Sequence, residues 1–212
     1  EKESPEQLGY EKIKNNLTET SVRDRNIRDL GLVIDDILLP YGDHLGDPRL
    51  RGIIARQSGV DDPNDVLVTA GAASALFLVA SSLLGPGDKM IVARPNYGTN
   101  IETPRAIGAD ISYLDQKFEE GFKVDIEKLE SMIKPDTKYI SLTNPHNPTG
   151  TMMSLSELKE VIAIAEKNDV WLLIDETYRD MFKGEVLPVA ASLSDKVISI
   201  SSLSKTYGIP GI

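Results

Sequence analysis

From Val66 onward the chain repeats one arrangement, a short run of residues apolar on both faces followed by a longer stretch with helical spacing. The runs are Val66-Leu67-Val68-Thr69, Met90-Ile91-Val92-Ala93, Tyr139-Ile140-Ser141-Leu142, Val170 to Ile174 and Val197 to Ile200. A strand without polar alternation has no face to offer to water, so it needs helices on both sides of its sheet. The pattern predicts an α/β architecture with three α-β-α layers, a mostly parallel central sheet and right-handed crossovers. Ligands should gather at the carboxyl ends of the strands.

The helices between the runs carry readable ends. Asp47-Pro48 is an N-cap followed by a first-turn proline, with Leu50, Ile53 and Ile54 on one face. Ser154 and Glu157 form a capping box ahead of Leu158, Val161, Ile162 and Ala165, and Asp125 opens a helix whose buried stripe is Ile126, Leu129 and Ile133. Residues 1–44 read differently: mixed polarity, a helix at about residues 5–15 and no strand series. They suit an arm or a segment of a smaller domain, with residues 45–212 forming the sheet domain.

Charge and composition narrow the function. The 33 acidic residues exceed the 23 basic ones, for a net charge of −10, which argues against an electrostatic grip on nucleic acid or anionic membranes. With no Cys and only two His, thiolate chemistry is excluded and a multi-histidine metal centre is not expected. The most apolar stretch, Ala72 to Leu84, is interrupted by serines and too short to span a bilayer, and residues 1–30 hold no signal-peptide pattern, so the default compartment is cytoplasmic. The chain begins with Glu and ends at Ile212 inside what reads as an unfinished motif; we expect it to be part of a longer one.

Three segments that directly follow apolar runs could carry chemistry. Asn144-Pro145-His146-Asn147-Pro148-Thr149-Gly150 is a rigid turn, and at the end of a strand it offers the Asn147 amide to a ligand; a plain turn is the alternative. Val170 to Ile174 ends in Asp175-Glu176-Thr177-Tyr178, where Asp175 is equally readable as a helix cap or as a charge facing a cationic ring nitrogen. Ser201-Ser202-Leu203-Ser204-Lys205-Thr206-Tyr207-Gly208 sets a lysine among small hydroxylated residues and glycine, and a lysine so placed can form a Schiff base with an aldehyde. The spacings, 175 − 147 = 28 and 205 − 175 = 30, each equal about one strand-helix-strand unit and bring the three residues to one edge.

With Asn-Pro-x-Asn-Pro-Thr-Gly, Asp-x-x-Tyr and Ser-x-Ser-Lys in this order, the sequence from about Tyr41 to Ile212 resembles the class I/II aminotransferase family of fold-type I pyridoxal-phosphate enzymes. The resemblance implies the N-terminal portion of that family's large domain, with its C-terminal part missing, and pyridoxal 5'-phosphate as cofactor. It implies that Lys205 holds the cofactor as a Schiff base and later moves the α-proton. Asp175 would pair with the pyridinium nitrogen and keep it protonated, so that the ring accepts electrons. Asn147 and Tyr178 would hydrogen-bond the ring's 3-oxygen. Backbone NH groups of Ala72 and Ala73, at a helix start in Thr69-Ala70-Gly71-Ala72-Ala73, would hold the phosphate, helped by the Ser202 hydroxyl. Tyr97, in Arg94-Pro95-Asn96-Tyr97, would stack on the ring or else simply pack. Tyr41, five residues before Gly46, would reach the phosphate of the neighbouring subunit in a homodimer with shared sites. Amino acids and 2-oxo acids are the implied substrates.

The sequence departs from the family's pattern in three ways. It ends before the arginine expected shortly after the lysine, lacks the small domain that supplies the substrate-carboxylate arginine, and shows hydroxylated residues around Leu17 to Ser21 in place of a glycine loop. Within the cofactor family a carbon-sulfur lyase and an amino-acid cyclase are alternatives. A non-catalytic sensor domain would need a basic module ahead of it, whereas residues 1–44 carry 6 basic and 10 acidic side chains, 6 − 10 = −4. Ser202-Leu203-Ser204-Lys205 also satisfies the Ser-x-x-Lys pattern of serine acyl-transferring enzymes, but the companion Ser-Asp-Asn and Lys-Thr-Gly motifs are absent.

Overall fold

The computed structural model describes residues 5–18, 20, 22–33, 41–184 and 186–211. Among these residues six α-helices, α1 (Pro5–Leu8), α2 (Pro48–Ser58), α3 (Gly71–Leu83), α4 (Gly98–Ile107), α5 (Ile126–Met132) and α6 (Leu155–Lys167), accompany five strands. The strands are β1 (Lys89–Arg94), β2 (Asp110–Asp115), β3 (Thr137–Thr143), β4 (Trp171–Asp175) and β5 (Val197–Ile200). All neighbouring pairs are parallel, in the order β2-β1-β3-β4-β5. The sheet divides two apolar layers. On one face Leu129, Leu158, Val161 and Ala165 of α5 and α6 pack on Ile91, Ile140, Leu142, Leu172 and Ile174; on the other, Leu76 of α3 and Ile101 and Ile107 of α4 meet Met90, Val92, Tyr139 and Leu173. The three-layer α/β expectation is met, because strands apolar on both faces are satisfied only between two helical layers.

Local signals explain most helix ends. Asp47 accepts from the backbone of Arg49 and Leu50 at the start of α2, Asp125 accepts from Lys128 NH at α5, and the Ser154/Glu157 capping box opens α6. Four features differ from the sequence reading. Residues Val66–Thr69 form no strand: among the described residues they have no ladder partner, and the Val66 and Val68 NH groups bond back to Pro63 O at 3.2 Å and Leu45 O at 2.9 Å. Strand β2 was not anticipated, because it is an edge strand whose polar and apolar residues alternate. Helix α2 buries Arg51 and Ala55 rather than the Leu50/Ile53/Ile54 face; the Arg51 guanidinium is held by the carbonyls of Gly46 and Pro63, by Asn64 and by Asp43. The helix expected at 5–15 breaks into α1 and a 3-10 turn at Tyr10–Lys12, with Gly9 between them at φ 88°.

Chain order sets where a ligand can sit. From β1 the chain moves outward to β2, then returns across the sheet to β3 and continues to β4 and β5. The strand order therefore reverses between β1 and β3, the place where open α/β sheets form a crevice at their carboxyl ends. Register levels these ends: Thr143 pairs with Asp175, and Asp175 with Ile200.

Candidate active site

The loops after β1, β3, β4 and β5 meet at this crevice, and the Asn-Pro loop is the most tightly fastened of them. Asn144 is buried, donates its NH to Asp175 O at 2.9 Å, and accepts at Oδ1 from Met153 NH at 2.9 Å. His146 is also buried; its Nε2 lies 3.0 Å from Pro95 O and its Nδ1 2.7 Å from the Thr149 hydroxyl. A carbonyl only accepts, so Nε2 carries the proton and Nδ1 accepts from Thr149. Burial lowers the His146 pKa from its ordinary value of 6.5, which keeps this neutral tautomer. His146 thus ties the loop after β3 to the loop after β1 across the point where strand order reverses. The Asn147 amide, half-buried, makes no hydrogen bond among the described residues, as a ligand-facing amide should.

Asp175 ends β4 and is 4% exposed. Its Oδ1 accepts from Thr177 NH at 3.1 Å and from the Thr177 hydroxyl at 2.6 Å, and Asn100 adds a further hydrogen bond. Burial nonetheless raises its pKa above 3.8, and no neighbouring cation lowers it. The adjacent Glu176, also buried, points elsewhere: it accepts from Ala190 NH and from Ser199, and burial raises its pKa too. Of the two carboxylates, Asp175 is the one at the crevice without a charged partner. The helix-cap reading of Asp175 accounts for the Thr177 bonds but leaves this buried charge unbalanced.

A polar network beneath Asp175 escaped the sequence reading. Asn100 in α4 is buried; its Nδ2 donates to Asn96 Oδ1 at 3.1 Å and its Oδ1 accepts from Ser141 of β3 at 3.1 Å. Asn96 Oδ1 also accepts from Thr143 at 3.0 Å and from Tyr97 NH at 2.8 Å. Its one sequence signal is Ser141, a hydroxyl in the middle of a doubly apolar run, which must find a partner.

The remaining candidates occupy the same edge, with one exception. Lys205 is half-buried, and its amine forms no ion pair or hydrogen bond among the described residues. Ser202 and Ser204 shape the turn before it: the Ser202 hydroxyl donates to Ser204 Oγ at 2.7 Å and accepts from Ser204 NH at 3.0 Å. Tyr178 lies with its hydroxyl 2.6 Å from that of Thr20. Tyr97, 43% exposed, is the N-cap residue of α4. Ala72 and Ala73 lie in the first turn of α3, whose N-terminus has no side-chain cap and no acidic residue. Tyr41 stands apart, fully exposed. Of the stretch where a glycine loop was expected, Glu19 and Ser21 lie outside the described residues.

With this geometry in hand, comparison with known proteins is decisive. Residues 10–212 match the family described as aminotransferase class I and II. The chain belongs to this family. It is 35% identical over 179 residues to the arginine–pyruvate transaminase of Pseudomonas aeruginosa, covering 81% of this chain and 46% of that protein. Among solved structures, a PLP-dependent aminotransferase from Streptococcus suis superimposes with a TM-score of 0.83 at 33% identity, over 91% of this chain and 54% of that one. A PLP-dependent cyclase superimposes equally well, TM-score 0.83 at 25% identity, over 97% of this chain and 57% of that one. The chain thus spans about half the length of the relatives that it matches, and its sheet has the architecture of the fold-type I enzymes. No helix among the described residues is long and apolar enough to cross a membrane.

Proposed function

We propose that this chain is the cofactor-binding half of a pyridoxal-phosphate-dependent aminotransferase that moves an amino group between an amino acid and a 2-oxo acid. The observation that carries the reading is Asp175, a buried carboxylate without a cationic neighbour, level with the Lys205 loop at the crevice edge. The donor set fits pyridoxal phosphate: a carboxylate for the ring nitrogen, an amine for the aldehyde, an open helix N-terminus for the phosphate, and an amide and a phenol for the ring oxygen. When bound, the cofactor supplies an electron sink for the bond broken at the substrate α-carbon.

The chain's own groups then divide the work. Lys205 Nζ would hold the cofactor through its aldehyde and would carry the proton at the substrate α-carbon. Asp175 keeps the ring nitrogen protonated, and the hydrogen bonds from Thr177 and Asn100 orient its carboxylate. Asn147 and the Tyr178 phenol would donate toward the ring oxygen, Tyr97 would cover the ring, and the NH groups of Ala72 and Ala73, with Ser202, would take the phosphate. The exposed Tyr41 suits a homodimer in which it reaches the partner's phosphate, with residues 1–44 as an arm; activity regained on mixing Tyr41→Phe with Lys205→Ala subunits would test the sharing.

Borohydride reduction of the loaded full-length protein, followed by peptide mapping, tests the reading. The reduced cofactor is expected on Lys205 and lost in Lys205→Ala; a label on another lysine overturns the assignment. The cyclase superposition favours one second reading, intramolecular ring closure of the substrate. Stoichiometric formation of a new amino acid from an added 2-oxo acid distinguishes amino transfer from it.

A further inference from the structure

We propose that Thr20 is a positioning residue that acts through Tyr178, its hydroxyl donating to the phenol oxygen so that the phenol's own proton is committed to the ring-oxygen position of the cofactor. The proposal rests on the reading of Tyr178 given above and adds to it a residue from the N-terminal arm, 158 positions away in sequence.

The geometry begins with the 2.6 Å separation of the two hydroxyls. Each hydroxyl has one proton, and either could donate. If the phenol gave its proton to Thr20, it would have none for a ligand; if Thr20 donates, the phenol accepts on a lone pair and keeps its proton free. A hydrogen bond received by a phenol also polarises its O–H and makes it a stronger donor. With Thr20 as the donor, the contact sets both the direction and the strength of the Tyr178 hydrogen bond.

Thr20 is not held by that bond alone. The Val22 NH donates to Lys205 O at 3.3 Å and the Arg25 NH to Gly208 O at 2.8 Å, so the segment lies strapped along the lysine loop. Gly208 makes the approach feasible: it is buried, its φ is 65°, and a Cβ there would meet the Arg23 carbonyl oxygen at 2.6 Å. The strap thus places one hydroxyl beside the phenol while bonding the backbone on which Lys205 sits.

The test uses the full-length protein loaded with pyridoxal phosphate and reads the pH midpoint of its visible absorbance band, with Asp175 and Lys205 intact in every variant. A donor to the ring oxygen withdraws electrons and lowers the midpoint, so weakening the donor raises it. Tyr178→Phe should raise the midpoint by about one unit or more, the scale of one hydrogen bond to a charged group. Thr20→Val, which keeps the shape and removes the hydroxyl, should raise it by about a third of a unit, the scale of one bond strengthened by another in series. Thr20→Ser should restore the parent value, and Thr20→Val should add nothing in a Tyr178→Phe background. If Tyr178→Phe moves the midpoint and Thr20→Val does not, or if the two shifts add, the proposal is overturned while the reading of Tyr178 stands. If Tyr178→Phe itself leaves the midpoint unchanged, both are overturned.

Discussion

Asp175 and Glu176 are neighbours in the chain and equally buried, yet they belong to two differently built regions. Glu176 reaches away from the crevice and joins separate elements, accepting from Ala190 NH and Ser199 with the charge of Arg179 nearby. Asp175 is held mainly by its own loop, through Thr177, and by Asn100, with no charged neighbour to balance it. A buried carboxylate that clamps distant backbone is part of the fold. One left without countercharge at a ligand-bearing edge is a cost that folding alone does not explain, and its explanation is sought in what binds there.

Replacing each acid by its amide sets the two roles against each other. Asp175→Asn should lower turnover of the full-length enzyme by roughly 3 to 4 kcal/mol of transition-state stabilisation, about a hundredfold to a thousandfold. Its apo form should be at least as stable as the parent. Because the folded-state pKa of Asp175 is raised above 3.8, folding takes up a proton, and the parent loses stability as pH rises through that region; the amide does not. Thermal unfolding of the apo forms over a pH series rising from 3.8 checks the sign. Near-normal turnover in Asp175→Asn would reduce Asp175 to a helix cap.

Glu176→Gln should reverse the pattern. Turnover per folded molecule should hold, while stability falls by about 1 to 2 kcal/mol, because an amide turns an NH2 group toward the donors that the carboxylate served. Denaturant titration of the two amides side by side tests the contrast, and equal stability losses would break it.

The smallest expected effect concerns the Asn-Pro loop. Burial lowers the pKa of His146 below 6.5, so the unfolded chain binds a proton that the native chain does not, and stability declines as pH falls from above 6.5 through the lowered value. His146→Gln should flatten this part of the melting-temperature profile between pH 7.5 and 5.5. A profile unchanged by the substitution would remove His146 from the account.

What could be read in advance follows from what each signal depends on. Four strands announced themselves because both faces are buried, and an apolar run needs no partner to be recognised. The edge strand β2, with polar Asp110, Ser112 and Asp115 among its apolar residues, did not, whereas Val66–Thr69 looked like a strand but has no neighbour to pair with among the described residues. Asn147, Asp175 and Lys205 could be named as candidates because each stands at or shortly after the end of a strand and the intervals match the strand-helix-strand unit. Asn100 was not, since its bond to Ser141 joins residues 41 positions apart and exists only once α4 lies on the sheet. Thr20 was hidden for the same reason, its partner being the width of the whole domain away in sequence.

The strap over the lysine loop also orders events during synthesis. The bonds from Val22 to Lys205 and from Arg25 to Gly208 each close a loop of 183 residues, 205 − 22 and 208 − 25. A nascent chain emerges from its N-terminus, so the strap waits while β1 to β5 are made, and it can dock only after Gly208 has left the ribosome. A segment synthesised ahead of the sheet is therefore placed after it, and any translation product that stops short of residue 208 carries an arm with its docking site incomplete.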